Sequence, residues 1–118
     1  MVDEQARKLY ALKAEVMQAL AHPIRLAIVD CLSRDECSAG EIAERVEAER
    51  SNVSRHLGVL LKADIVENRK EGLHMVYRLK TPCVLGFTAC LTNVLRERAE
   101  SASALLGALG TEGAGERT

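Results

Sequence analysis

Two cysteines seven positions apart, in the apolar stretch TPCVLGFTACL, are the residues of this chain best suited to chemistry. Cys83 and Cys90 carry thiols, and an ionised thiol binds soft metals and reacts with oxidants and persulfides. On a helix, seven residues at about 100° each bring Cys90 to within about 20° of Cys83, but about 10.5 Å further along the axis. That rise keeps both from holding one ion on a single rigid helix, and it exceeds the ~7 Å Cα limit of a disulfide. Each thiol therefore needs a partner elsewhere, either Cys37 or a cysteine of a second copy packed antiparallel. Thr81 as N-cap and Pro82 as first helical residue would set Cys83 in the first turn, where free N–H groups favour a thiolate. Cys90, between Ala89 and Leu91, suits a small core position equally well. Cys37 lies in RDECSAG, whose polarity predicts an exposed turn, and Cys31 shares a helical stripe with Ile24, Ala27 and Ile28 and reads as packing.

The elements that must position these thiols follow from periodicity. Leu9, Leu12, Val16 and Leu20 form one helical stripe over residues 4–21, which His22-Pro23 ends while opening the next helix, IRLAIVDCLSR. Ser38 and Glu41 make a capping box for a third helix, SAGEIAERVE. SNVSRHLGVLLKA is a fourth, with Val53, Leu57, Leu60 and Leu61 on one face. The period then changes: IVENRK and LHMVYRLK flank Glu71-Gly72 and predict a β-hairpin. A last helix runs from Thr81-Pro82 to about Leu106, and the glycine-rich residues 107–118 read as a disordered tail. The expected fold class is mainly α with a small β-hairpin, in the order α-α-α-α-β-β-α, over a domain spanning 1–106. Three helices followed by a hairpin make a winged helix-turn-helix, with the fourth helix as reader and the hairpin as wing. The last helix carries more apolar residues than one stripe can hide, so a homodimer through the first and last helices is expected.

Charge supports that reading once it is divided along the chain. The net charge of −1 is unlike a nucleic-acid binder. Residues 50–80, however, hold seven Lys/Arg against three acids, and the remainder nine against fourteen. One basic segment thus sits on an acidic body. The fourth helix offers Ser51, Asn52, Ser54, Arg55 and His56 around buried Val53 and Leu57. Arg55 suits a bidentate contact with guanine, Asn52 one with adenine, and the serines suit phosphates. Arg69, Lys70 and His74 fall near the wing tip, within reach of a minor groove or backbone. A solvated polar helix face is the bland alternative, but the basic hairpin beside it favours double-stranded DNA. An enzyme is not expected, because no histidine partners a cysteine and no Gly-rich phosphate loop is present. A protein-interaction adaptor would leave the basic segment without a purpose. No apolar run approaches the roughly 18 residues that span a bilayer, and the N-terminus lacks a signal-peptide layout, so the expected location is the cytoplasm, with no membrane partner.

ALAHPIRLAIVDCL, SNVSRHLGVLLKADIV and KEGLHMVYRL together resemble, in order and spacing, the ArsR/SmtB family of bacterial and archaeal transcriptional repressors, over roughly residues 9–95. The resemblance implies a homodimer that binds an inverted-repeat operator without a cofactor and is released by a metal, a metalloid or another chemical signal. It places Ser51, Asn52, Ser54, Arg55 and His56 on the recognition helix and Arg69, Lys70, Glu71, Gly72 and His74 on the wing. Zinc- and nickel-type members use His and Asp pairs on the last helix, and residues 82–106 contain neither type. Arsenic-type members carry a Cys-x-Cys-Asp-Leu-Cys run at the third helix, where this chain reads Cys37-Ser38-Ala39-Gly40-Glu41-Ile42-Ala43. PCVLGFTAC resembles a subgroup with cysteines at both positions of the last helix. The expected signal is a soft metalloid or metal such as As(III) on Cys37, Cys83 and Cys90. The alternative is a thiol-redox or persulfide link between two of them.

Overall fold

A computed structural model of the chain describes residues 3–113, with side chains described to residue 108. The elements are α1 (Glu4–Leu20), α2 (Pro23–Leu32), β1 (Cys37–Ser38), α3 (Ala39–Val46), α4 (Arg50–Lys62), β2 (Val66–Glu71), β3 (His74–Leu79) and α5 (Val84–Gly113). The chain divides into two compact units, Met1–Leu85 and Gly86–Thr118. No described helix is long and apolar enough to cross a membrane.

Within the first unit, short-range signals set most boundaries. Asp3 caps α1 through its side chain on the Ala6 amide at 2.8 Å. His22 caps α2 by accepting from the Ile24 amide at 3.1 Å, with Pro23 at the first helical position. Ser38 and Glu41 form the expected capping box, with Glu41 also reaching back to the Ser38 amide at 2.9 Å. The tight turn from α3 into α4 passes through Glu47, a non-glycine residue in the left-handed region at φ 55°. Such a conformation costs an ordinary side chain about 1–2 kcal/mol. The core is aliphatic: Ile28 and Val29 of α2, Ile42 of α3, Val53, Leu57 and Leu60 of α4, with Ile65 and Val66, are all buried.

The winged helix-turn-helix is present, but the element order is α-α-β-α-α-β-β-α. The added strand, β1, is two residues long and pairs antiparallel with β3, Cys37 opposite Tyr77 and Ser38 opposite Val76. The sheet order is therefore β1-β3-β2. Nothing local marks Cys37 and Ser38 as a strand; β3 supplies the edge that makes them one. The hairpin pairs Val66 with Leu79 through to Glu71 with His74, and turns at Gly72-Leu73, where Gly72 has φ +63°.

The second unit is a continuation of α5. Its helix passes the expected end near Leu106 and reaches Gly113. Glycines at 107 and 110 weaken a helix by about 1 kcal/mol each relative to alanine, but they keep the N–H that proline lacks, so they do not stop it. The rest of the expected disordered tail, 114–118, lies outside the described residues. Phe87, Leu91, Val94, Leu95, Leu105 and Leu106 of α5 are exposed, as are Leu9, Leu12, Val16 and Met17 of α1.

Candidate DNA-reading face and thiol sites

Helix α4 separates two faces at a period of 3.6. Val53, His56, Leu57 and Leu60 point into the core, while Ser51, Ser54 and Arg55 are exposed and Asn52 is half-buried. Glu49 caps the helix without a side-chain hydrogen bond, so the first-turn amides are left for another acceptor. Arg55 Nη2 donates to Asn52 Oδ1, which holds the two expected base-reading side chains together as one unit. Arg50, exposed at the start of the same helix, lays its guanidinium against Gly40 of α3.

His56 is not on that face, and the expectation is corrected. Its side chain is 6% exposed and its ring lies 4.3 Å from His22, centroid to centroid. Arg25 Nη1 donates to His56 Nδ1 at 3.2 Å, an arrangement that holds the imidazole neutral with its proton on Nε2. Arg25 also donates through Nε to the Ala19 carbonyl at 2.6 Å. One guanidinium thus ties the end of α1 to the reader helix. Burial, followed by the neighbouring His22, Arg25 and Arg55, pulls the His56 pKa below its usual value.

The wing is less basic in effect than its sequence. Arg69 sits between Glu36 and Glu71, with Nη2 2.8 Å from each carboxylate. Arg78 pairs with Glu67, and Lys80 with Asp64 at 3.3 Å. Arg69 is therefore committed within the chain, contrary to its expected contact with DNA. Glu36 accounts for this, because it is brought alongside from 33 positions away. Lys70 and His74 are exposed beside the turn, and Lys70 makes no ion pair among the described residues.

The cysteines fall into two classes. Cys83 and Cys90 are free and exposed. Cys83 precedes α5 in a turn closed by the Val84 and Leu85 amides on the Thr81 and Pro82 carbonyls, at 3.1 and 3.0 Å. Thr81 does not cap the helix: its Oγ1 is buried without a hydrogen-bond partner. Cys31 and Cys37 are free and buried. Cys37 is only 1% exposed, so the polar turn expected around it is instead a strand facing the core. Arg45 Nη1 donates to its Sγ at 3.1 Å. Burial, then the adjacent Cys31 thiol, pushes the Cys37 pKa up to about 11 against the pull of Arg45. Among the described residues no three His, Cys, Asp or Glu side chains gather as a metal site.

Comparisons with known proteins follow the same outline. Residues 20–69 match a helix-turn-helix domain family. The uncharacterized HTH-type transcriptional regulator Rv0081 of Mycobacterium tuberculosis H37Rv is 38% identical over 92 residues, 77% of this chain and 81% of that protein. Its crystal structure superposes with a TM-score of 0.70, covering 79% of this chain and 94% of that one. The homodimeric winged helix-turn-helix DNA-binding domain Mb0332 of Mycobacterium bovis, described as a possible ArsR-family regulator, gives 0.73 at 29% identity, over 84% and 92% of the two chains. The transcriptional repressor BigR of Xylella fastidiosa gives 0.67 at 30% identity, over 80% and 96%. With this fold, this reader helix and these relatives, the chain belongs to the ArsR/SmtB family of winged helix-turn-helix transcriptional regulators.

Proposed function

We propose that this chain is a cytoplasmic, homodimeric DNA-binding repressor that a thiophilic signal at Cys83 and Cys90 releases from its operator. The observation that carries the DNA reading is the outward face of α4. Ser51, Asn52, Ser54 and Arg55 lie on it, over a helix start with no side-chain cap and a core that fixes the opposite face. Arg55 and Asn52 suit base edges and Ser51 and Ser54 suit phosphates. At the wing, Lys70 and His74 supply sequence-independent attraction. The repressor and dimer readings draw support from BigR, named a repressor, and from the homodimeric Mb0332 domain. Exposed leucines on α1 and α5 supply the dimer surface, and a two-fold axis between reader helices calls for an inverted repeat about one helical turn apart. No cofactor is required for DNA binding, and a protein-interaction adaptor would have no use for the exposed cations of α4.

Cys83 and Cys90 are free thiols exposed in the single chain, on and beside the helix assigned to the dimer, which supports their part in the switch. A trivalent arsenic centre takes three thiolates, and because Cys83 and Cys90 of one chain stand too far apart along the axis to share an ion, it would draw on both copies. Cys37 would have to leave its buried place beside Arg45 to serve, which favours a thiol of the second copy. The alternative signal is a disulfide or polysulfide link formed by an oxidant or a persulfide, with no metal. In either case a bond near the dimer helices changes the spacing of the two reader helices, and the operator is lost.

Selection of binding sites from random duplex DNA by the reduced protein tests the reading. Enrichment of an inverted repeat, relaxed at one base position in each half on Arg55→Ala, is expected; no enrichment over non-specific binding would overturn it.

A further inference from the structure

Helix α1 meets the reading head over a narrow joint. Of its 17 residues only Ala19 and Leu20 are buried, while Leu9, Leu12, Val16 and Met17 stay exposed. Two non-helical residues, Ala21 and His22, link it to α2. Its last turn holds no basic residue, so its C-terminal carbonyls have no cation of their own. Arg25 of α2 supplies one. Its Nε donates to the Ala19 carbonyl at 2.6 Å and its Nη2, more loosely, to the Gln18 carbonyl at 3.4 Å. The remaining arm, Nη1, donates at 3.2 Å to Nδ1 of His56, on the buried side of α4. His22, which caps α2, packs against the same ring at 4.3 Å.

We propose that Arg25 is the positioning residue that fixes the reader helix relative to α1 and so sets the half-site spacing at which the dimer binds DNA, a role that rests on the operator-binding dimer proposed for this chain. Two readers related by a two-fold axis match one spacing of an inverted repeat only if each is held rigidly to the helices that form the dimer. Apolar contact at Ala19 and Leu20 is non-directional and does not by itself fix rotation about the joint. A guanidinium is planar, with its donors in a fixed fork, so acceptors on two elements define a direction as well as a distance. A cap for α1 alone would need only the two carbonyls. The third contact, to a buried ring of α4, makes Arg25 a strut between helices.

His56 suits the far end of that strut. It follows Arg55 directly on α4, so its ring moves with the backbone that carries Arg55 and Asn52. Arg25 itself is half-buried and acts through His56, from behind the reading face. The geometry to be held is demanding: one base pair displaces a half-site by about 3.4 Å and turns it by about 35°.

The test is the penalty for wrong spacing. Fluorescence anisotropy gives the affinity of the reduced full chain for its selected operator and for the same duplex with one base pair inserted between the half-sites. Wild type is expected to bind the inserted duplex more weakly. Arg25→Met keeps an unbranched stem and removes every donor, and is expected to shrink that penalty by about 2–30-fold, the range in which residues linking two sites act. Sedimentation is expected to show a dimer, since the exposed stripe of α1 is untouched. His56→Leu, which removes the acceptor at the other end, should shrink the penalty likewise, and His56→Gln, whose side-chain oxygen can accept, should keep it. Lost stability alone weakens binding to both duplexes in proportion, so the ratio separates positioning from packing. Arg55→Ala should weaken both and leave the ratio as in wild type. Where Arg25→Met fails to fold, His56→Leu and the milder Arg25→Lys, which keeps the charge without the fork, decide the question. A wild type indifferent to the insertion, or an unchanged penalty in a folded, dimeric Arg25→Met or His56→Leu, would overturn the strut and leave the operator reading intact. Wild type that binds selected and scrambled duplexes alike would overturn both.

Discussion

Helices α4 and α5 both carry regularly spaced leucines, yet only α4 is finished within one chain. Val53, Leu57 and Leu60 of α4 are buried against α2, α3 and the strands, and what remains outside is polar. In α5, Phe87, Leu91, Val94 and Leu95 remain exposed, Leu91 by 42%. A reading head can thus be stabilised by its own core, whereas an apolar helix left open calls for a second copy. The cysteines divide in the same way. The pair in the head is buried beside an arginine, and Cys83 and Cys90 are open to solution.

The variant expected to separate the two helices most completely is Leu91→Glu. A carboxylate in the dimer seam should abolish both the dimer and operator binding, while the α2–α4 head keeps its fold. Sedimentation, gel shift and circular dichroism on one sample check this, and a dimer that survives would break the contrast. Leu60→Ala, by comparison, should act on folding, lowering stability by about 2–5 kcal/mol in a denaturant titration.

Arg55→Ala should weaken operator binding by about 1–3 kcal/mol and relax one base preference. Lys70→Ala should weaken all sequences alike and reduce the salt dependence. Arg69→Ala should do less than Lys70→Ala, because Glu36 and Glu71 already neutralise Arg69. Equal effects on the salt slope would mean that the wing re-pairs on DNA.

A smaller effect is expected from pH. The folded pKa of His56 lies below the unfolded value near 6.5, so the unfolded chain binds the proton more readily. The resulting stability is fully present above about 6.5 and is lost as pH falls from there through the folded pKa. The groups around the ring are His22, Arg25 and Arg55, and none of them offers an imidazolium a negative partner. Thermal melts of wild type and His56→Gln between about pH 7.5 and 5 should converge on acidification. Parallel curves would remove His56 as the cause.

Much of this arrangement was legible in the sequence because it rests on local signals. Ser38 and Glu41 stand three apart and cap α3, His22-Pro23 opens α2, and Gly72 takes the positive φ that the wing turn requires. The burial of His56 was also legible, since 53, 56, 57 and 60 make one helical stripe. Its polar side chain and the resemblance drew it to the wrong face. Other features depend on residues distant in sequence. Strand β1 exists only because β3 pairs with it, which buries Cys37, and Arg69 is taken by Glu36 from 33 positions away. Thr81 and Pro82 had the composition of a cap, but backbone turns close that segment and leave the hydroxyl buried.

The central claim is that a reading head of the α4 kind answers to exposed thiols that lie outside its core. Fluorescence anisotropy of a labelled, selected operator measures this directly, with the reduced dimer–DNA complex titrated by arsenite and, separately, by a persulfide donor. Cys83→Ser and Cys90→Ser should bind the operator like wild type, with melting temperatures close to it, since exposed substitutions change stability by about 0.5 kcal/mol or less. One of the two reagents should release wild type, and neither variant should respond to it. Full release of both variants by the reagent that releases wild type would contradict the account.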